Sequence, residues 1–234
     1  MHKKIFLAAL LSVAGLFSAT AHADGWLFHM NVFENDAGSP GAFQFGSGWA
    51  PADMKTTLLQ SNVGTYFGDQ LRLEPNFNTY ANAVASGDPG ELAYWTDGAG
   101  GGNKFMEANT YIEVGTIATP TASFSGTVDS YTLDSAYDGL AFIKVLNPAT
   151  GWSLDLFETY DLSLLGSFAL SADLSAHQGK VLQYGFLVSG LNANPDDILG
   201  NADVSVIPEP STYAAIFGGL ALLGALAYRR RAGK

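Results

Sequence analysis

The pattern that most constrains the fold of this chain is a two-residue alternation of apolar and polar side chains, repeated in short runs along its length. Successive side chains of a β-strand point to opposite faces, so this alternation is typical of strands with one buried face. Between residues 104 and 114, for example, Met106 and Ile112 fall on one face, and Glu107 and Glu113 fall on the other. Clusters of Gly, Asn, Asp and Pro separate the runs, which predicts antiparallel sheets.

Nine or so strands are predicted, at 26–32, 71–73, 104–114, 122–133, 140–146, 152–159, 166–170, 181–188 and 202–206. No long amphipathic helix interrupts them, so the pattern favours an all-β, antiparallel jelly-roll-like β-sandwich with eight to ten strands. Residues 171–178 predict a single helical turn, with Ser171 as its cap and Gly179 as its stop. Trp26 and Trp152 alternate with apolar residues, which predicts that both lie in the core.

The N-terminus has the features of a secretion signal. Two lysines precede an apolar run at 5–17, and Ala21 and Ala23 form a small-x-small cleavage site. An uncleaved membrane anchor is the alternative, but roughly 13 apolar residues fall short of the ~20 that a spanning helix needs. The sequence therefore predicts a signal peptide at 1–23 and an exported chain that begins at Asp24.

The C-terminus has three parts in a fixed order: Pro208-Glu209-Pro210, an uncharged apolar run at 214–228, and Arg229-Arg230-Arg231. The two prolines cannot continue a strand or a helix, so the backbone there is expected to be extended and accessible. The apolar run is just long enough to cross a thin bilayer if residues 207–228 are all used. The three arginines predict a cytoplasmic tail, which places the preceding domain outside the inner membrane.

This three-part order resembles the PEP-CTERM sorting signal of Gram-negative bacteria. The resemblance implies that an exosortase in the inner membrane recognises Pro208, Glu209 and Pro210 and processes the chain nearby, with loss of the apolar tail. It also implies delivery to the cell surface or extracellular matrix of a bacterium that makes exopolysaccharide. An ordinary single-span anchor preceded by a chance Pro-Glu-Pro is the alternative. Segments 45–49, 102–111, 141–144 and 183–186 also resemble a group of secreted bacterial proteins, from which no activity can be transferred.

The expected organisation is a signal peptide at 1–23, one domain at 24–206 and a sorting signal at 207–234, since the middle is long enough for one core and short for two. Residues 24–210 hold all 22 acidic residues and five of the 11 basic ones, a net charge of −17. Such a charge repels nucleic acid and anionic lipid and tolerates neutral sugars or divalent cations. The predicted partners are signal peptidase, exosortase and exopolysaccharide, with only transient contact to the inner membrane through the C-terminal helix.

Several classes of catalytic site find no support in the sequence. The chain has no cysteine, which excludes disulfides and thiolate chemistry. His29 and His177 are far apart in sequence and are interpreted as structural or surface residues. Neither the ExDxxE motif of jelly-roll glycosidases nor a G-x-S-x-G elbow is present, and Glu107 and Glu113 are expected to lie roughly 20 Å apart on their strand. The glycine-rich loop at 98–104 leads into a strand and is interpreted as a turn instead of a phosphate cradle.

Two groups of residues are candidates for binding. Trp49, Tyr94 and Trp95 lie in or beside glycine-rich loops, where exposed rings can stack on sugars, although packing at the rim of the core is the alternative. A second group, Asn194, Asp196 and Asp197, concentrates oxygen ligands of the kind that calcium prefers. A plain turn stabilised by Asn and Asp side chains explains the same composition.

The sequence thus predicts an exported surface or matrix protein with a non-catalytic structural or binding role associated with exopolysaccharide. A glycosidase on a jelly-roll scaffold is the alternative. No cofactor is expected apart from the candidate calcium ion.

Overall fold

The computed structural model describes residues 25–62 and 65–207, with only the backbone of residues 62 and 65–67. The strands of this part of the chain are β1 (Leu27–Asp36), β2 (Ser39–Gly48), β3 (Thr56–Asn62), β4 (Thr65–Leu73), β5 (Lys104–Thr116), β6 (Thr121–Tyr131), β7 (Asp138–Asn147), β8 (Ser153–Asp161), β9 (Gly166–Asp173), β10 (Val181–Leu191) and β11 (Ala202–Ile207). The helices are α1 (Pro51–Met54), α2 (Asn78–Ser86) and α3 (Pro89–Trp95), with short 3-10 turns at Pro148–Thr150 and Ser175–His177. The predicted signal peptide and sorting signal lie outside the described residues.

The strands form two antiparallel sheets that pack face to face. One has six strands in the order β2-β1-β5-β10-β7-β8, and the other has five in the order β3-β4-β11-β6-β9. The hairpins β1–β2, β3–β4 and β7–β8 stay within one sheet, whereas the other connections cross from one sheet to the other. The prediction of an antiparallel β-sandwich is therefore confirmed at this level, but the described residues are mostly β instead of all-β and contain eleven strands where eight to ten were expected.

The core lies between the two sheets and follows the alternation of the sequence. Met30, Ile143 and Phe186 from the six-stranded sheet meet residues such as Val204 from the five-stranded sheet. Trp26 is only 1% exposed, which confirms its predicted place in the core. Its ring stacks on Phe186 with the centroids 6.1 Å apart. The inner faces are mostly apolar, and their buried polar groups, such as Asp69 and Thr110, are hydrogen-bonded within the core.

Two local predictions differ from the structure. Trp152 is half-buried at a turn and has a φ of 65°, so its predicted place in the core is wrong. Gly151 and Trp152 both have left-handed backbone conformations and follow the 3-10 turn before β8. Trp152 therefore lies outside the strand and does not take part in its alternation. Residues 171–173 continue β9, and only Ser175–His177 form a helical turn. The turn that the sequence predicts at 171–178 is therefore shorter and starts later.

Helices α1, α2 and α3 lie at one edge of the sandwich, where β2 leads through α1 into β3. Helix α1 contacts both β1 and β3, and α2 packs against α3. Asn192, directly after β10, ties these helices to the sheet, because its Nδ2 donates to the backbone oxygen of Trp95 at 2.8 Å and to Thr79 Oγ1 at 3.2 Å. In the part of the chain that the structure describes, no helix has the length and apolarity needed to cross a bilayer.

Candidate functional site

Two of the three aromatic residues predicted to bind sugar, Tyr94 and Trp95, are in ring contact. Tyr94 and Trp95 are neighbours at the end of α3, with ring centroids 4.8 Å apart, and Phe45 of β2 lies 6.4 Å from Trp95. We call these three residues the aromatic corner. Trp49 and Trp95 both pack against the core, and Trp49 Nε1 donates to Ser47 Oγ at 2.6 Å. Sugar binding by Trp49, Tyr94 and Trp95 stays a prediction.

The rings of the aromatic corner already have partners within the fold. The Trp95 indole donates to Glu91 Oε2 at 3.0 Å. The ammonium of Lys104 lies 4.3 Å from the centroid of the Tyr94 ring and donates to Glu34 Oε2 at 2.8 Å. Burial and the nearby Glu34 carboxylate raise the pKa of Tyr94. One face of Tyr94 is thus occupied by a cation, which favours a packing role for this corner.

The carboxylate of Asp97, directly before the glycine-rich loop, is hydrogen-bonded to the backbone of this loop. Asp97 Oδ1 accepts hydrogen bonds from the backbone N–H groups of Ala99 at 2.7 Å and Gly101 at 2.8 Å. These bonds lower the pKa of Asp97. Because the backbone donors are satisfied by this side chain, the loop is a tight turn, in keeping with its interpretation from the sequence.

The oxygen-rich loop after β10 contains a turn. Asn194 Oδ1 accepts from the backbone N–H of Asp196 at 3.1 Å, and Asn194 Nδ2 donates to the Gly100 backbone oxygen at 3.0 Å. The backbone N–H of Asp197 donates to the Asn194 backbone oxygen at 3.0 Å. This is the arrangement of an Asx turn. Calcium binding at Asn194, Asp196 and Asp197 stays a prediction.

A concavity between the sheets opens beside α1. It has a volume of about 350 Å³ and is lined by Trp26, Phe28, Pro51, Ala52, Thr56, Thr57, Leu58 and Leu71. Its walls are mostly apolar, and the Thr56 hydroxyl is hydrogen-bonded to Thr110 Oγ1 at 2.8 Å. The cleft therefore offers few polar groups to orient a hydroxylated ligand.

A polar cluster that the sequence analysis did not anticipate lies on the outer face of the six-stranded sheet. We call it the outer-face cluster and define it as His29, Asn31, Glu107, Asn109 and Lys144. In the register of β1 and β5, His29 is opposite Asn109 and Asn31 is opposite Glu107. Their neighbours along β1 and β5 point into the core, so these side chains point away from it.

Lys144 reaches the other members across an intervening strand. It lies on β7, which is separated from β5 by β10. Gly185 of β10 stands between Phe142 of β7 and Tyr111 of β5 in the same row, so no side chain blocks the space there. The Lys144 ammonium donates to Asn109 Oδ1 at 3.1 Å.

The cluster is joined by directional hydrogen bonds. Asn31 Nδ2 donates to Glu107 Oε2 at 3.1 Å, and Asn31 Oδ1 lies 3.1 Å from His29 Nε2. Because the amide oxygen is an acceptor, this contact requires the hydrogen on Nε2 of His29. Gly46 of β2 leaves room for the pair, since a Cβ atom there would lie 2.8 Å from Asn31 Oδ1 and 2.9 Å from His29 Nε2.

Aromatic rings form the apolar part of the same face. The Lys144 ammonium lies 4.7 Å from the centroid of Phe142 and 5.9 Å from that of Tyr111. Phe157 of β8 extends the aromatic row, with its centroid 5.9 Å from that of Phe142. Further along the face, Gln183 Nε2 donates to Glu113 Oε2 at 2.9 Å.

Desolvation dominates the electrostatics of the cluster. It raises the pKa of Glu107, while the bonds from Asn31 and the charge of Lys144 act in the opposite sense. It lowers the pKa of Lys144 to about 8, an effect that the Glu107 charge opposes. It also lowers the pKa of His29 to about 4, helped by the charge of Lys144. Ionisable groups with several shifted pKa values in one cluster are typical of functional sites.

The chain matches no protein-family model, no curated protein and no solved structure. Any role for the outer-face cluster must therefore be argued from its own chemistry.

Only one part of this cluster was within reach of sequence reasoning. The alternation between 104 and 114 places Glu107 and Glu113 on one face, and the structure has both on the outer face of β5, with Glu107 in the cluster and Glu113 bonded to Gln183. The sequence predicts a structural or surface role for His29, because Asn31 follows it on β1 but Lys144 lies on β7, far away in sequence. The sequence signal available in advance was the run of Asn and Glu on the polar side of β1 and β5.

Proposed function

We propose that this chain is exported, is sorted by an exosortase to the cell surface or extracellular matrix, and acts there without catalysis, as a structural or binding component associated with exopolysaccharide. The observation that carries the proposal is the C-terminal order of Pro208-Glu209-Pro210, apolar run and Arg229-Arg230-Arg231. The jelly-roll-like description of the sandwich, flanked by a signal peptide and a sorting helix, is part of the same proposal.

The distance between Glu107 and Glu113 fits a non-catalytic role of this face better than a glycosidase pair. A glycosidase needs two carboxyl groups about 5 to 10 Å apart. The contacts of Glu107 are the Asn31 amide and the Lys144 charge, and Glu113 is six residues further along the same strand, roughly 20 Å away. A carboxylate held between an amide and an ammonium is suited to accepting hydrogen bonds from a ligand.

One observation favours a glycosidase as the second candidate. The raised pKa of Glu107 is what a general acid requires. Release of reducing sugar from matrix polysaccharide by the wild type, abolished in Glu107→Gln, would support catalysis. Equal and negligible release by both proteins supports the non-catalytic role.

The sorting proposal is tested by the intact mass of the protein recovered from membrane, surface and medium fractions of the producing bacterium. We expect a surface or medium form that begins at Asp24 and lacks residues 214–234. Substitution of Glu209 by Ala in the sorting motif should leave the unprocessed chain in the membrane fraction. A surface form that still contains residues 214–234 would contradict the proposal.

A further inference from the structure

We propose that the outer-face cluster is a binding site for neutral, hydroxyl-rich sugar units of a polysaccharide. The proposal deepens the proposed function and rests on it, because delivery to a matrix is what brings the domain to such a polymer. It places the sugar on the six-stranded sheet instead of at Trp49 or the aromatic corner.

The first argument is the complement of donors and acceptors. A sugar hydroxyl both donates and accepts, so vicinal hydroxyls are matched by neighbouring acceptors and donors. Glu107 offers carboxylate oxygens, Lys144 offers N–H donors, and the amides of Asn31 and Asn109 orient both of them through bonds of 3.1 Å. Few polar groups placed precisely beside aromatic rings are characteristic of small-molecule sites.

The second argument is exposure. Asn31 and Asn109 are each 5% exposed and form the floor of the cluster. His29, Glu107 and Lys144 on the same face are partly exposed as whole residues, and the charged ends of Glu107 and Lys144 are largely desolvated. The amides therefore act as positioning residues, while the charged groups are placed to touch the sugar.

The third argument is charge. Lys144 and Glu107 have opposite charges when both are ionised, and the pKa of His29, lowered to about 4, keeps its ring uncharged near neutral pH, so the cluster has no excess of one charge that would favour an ionic ligand. The surrounding domain has a net charge of −17 over residues 24–210, which repels an acidic polymer such as a polyuronate. A neutral sugar is the ligand class that satisfies both conditions.

The fourth argument is that burying the charged groups of the cluster lowers the stability of the fold. Burial of charged groups costs free energy unless their pairing is very good, and apolar replacement of such pairs is often neutral or stabilising. A polar network on a sheet face that destabilises the domain is expected where function requires it. The stability of variants that lack the charged groups therefore distinguishes a binding role of the cluster from a structural one.

The test is affinity gel electrophoresis with dextran and laminarin as neutral probes and alginate as the acidic probe. It uses the processed protein from the surface fraction, or the detergent-solubilised full chain if processing fails, so that the sorting and binding proposals are judged separately. We expect a neutral polymer to retard the wild type and alginate to leave it unaffected. Glu107→Gln and Asn109→Ala should each weaken retardation about tenfold or more.

The double variant Glu107→Gln, Lys144→Met should lose retardation and unfold at the same or a higher urea concentration than the wild type. The matched control removes the ion pair on the outer face of the other sheet, where Arg72 Nε donates to Asp203 Oδ1 at 2.8 Å. Arg72→Met, Asp203→Asn should keep full retardation.

Three results would overturn the proposal. The first is migration of the wild type unaffected by both neutral polymers. The second is a loss of retardation in Trp95→Ala that is absent in Glu107→Gln and Asn109→Ala, which would place the ligand at the aromatic corner. The third is a large drop in the stability of the Glu107→Gln, Lys144→Met variant with unchanged retardation in Asn109→Ala, which would make the cluster structural.

Discussion

At the scale of single residues, the hydrogen bond between Trp26 and Asp69 shows how burial determines the contribution of a hydrogen bond to the stability of the fold. Trp26 Nε1 donates to Asp69 Oδ2 at 2.8 Å, and the carboxylate is 0% exposed. A buried acceptor that loses a donor cannot recover the bond from water, so its desolvation is no longer offset. This residue pair therefore matters more than its single bond suggests.

We predict that Trp26→Phe destabilises the domain by about 1 to 3 kcal/mol, measured by urea unfolding. The matched control is Trp95→Phe, which removes the same indole donor from Glu91, an exposed acceptor. Water replaces the donor there, and we expect a loss of at most about 0.5 kcal/mol from the missing hydrogen bond. Equal losses in the two variants would contradict the burial argument.

His29 links stability to pH. Its pKa is 6.5 in the unfolded chain and about 4 in the folded one, so between these values the unfolded state binds more protons. The contribution of His29 to stability is therefore fully present above pH 6.5 and is lost as the pH falls towards 4. The wild type is expected to lose unfolding free energy as the pH falls from 7 to 5. We predict that this loss is smaller in His29→Gln, by on the order of 1 kcal/mol. An unchanged slope in His29→Gln would refute the assignment.

At the scale of elements, the β1–β2 hairpin contains an unfavourable turn residue. Ala37 has a φ of 50° and Gly38 a φ of 84°, and Asp36 pairs with Ser39 across a two-residue loop. Positive φ at both positions is the geometry of a type I′ turn, which prefers Asn-Gly. Alanine occupies the left-handed region at a cost of about 1 kcal/mol.

We predict that Ala37→Asn stabilises the domain by about 0.5 to 1 kcal/mol, since asparagine tolerates the left-handed region. The measurement is the shift of the thermal unfolding midpoint. Ala42→Asn is the control, because Ala42 is exposed on the neighbouring strand β2 and outside the turn. A gain in both variants would point to a general surface effect instead of the turn.

The strands that sequence reasoning recovered are those whose alternation is strong, such as β5, β7 and β10. Strand β2 was missed because Pro40, Gly41, Gly46 and Gly48 imitate a loop. An edge strand tolerates proline, and β2 is at the edge of its sheet. Helix α3 had a readable start, since Asp88 accepts from the N–H groups of Gly90 and Glu91, whereas α2 has no side-chain cap at Phe77.

The outer-face cluster could not be predicted for a topological reason. Its residues come from β1, β5 and β7, and the contact of Lys144 with Asn109 spans β10, a strand more than 35 residues later in the sequence than either. The alternation of the sequence predicts which face of a strand a side chain occupies, but it does not predict which strands are neighbours in the sheet. The aromatic corner was partly predictable because Tyr94 and Trp95 are adjacent in sequence.

At the scale of the whole molecule, the dominant property is the excess of acidic residues, with a net charge of −17 over residues 24–210. Repulsion between like charges is greater in the compact state than in the unfolded chain. Salt screens this repulsion within about 10 Å at 0.1 M ionic strength.

We predict that the thermal unfolding midpoint rises by a few degrees between about 10 mM and 200 mM NaCl. In Asp196→Asn, Asp197→Asn, which removes two exposed charges from one loop, the midpoint at low salt should be higher and the rise smaller. A midpoint that falls with salt would mean that local ion pairs outweigh the overall repulsion.

The position of β11 makes the five-stranded sheet depend on a strand that comes late in the sequence. It is inserted between β4 and β6, so without it the five-stranded sheet is split into two parts with unpaired facing edges. It is also the last of the strands in residues 25–207, and Pro208 follows it directly in sequence. The five-stranded sheet is therefore complete only once residue 207 has been synthesised. The strand that completes this sheet immediately precedes the proposed sorting motif at 208–210.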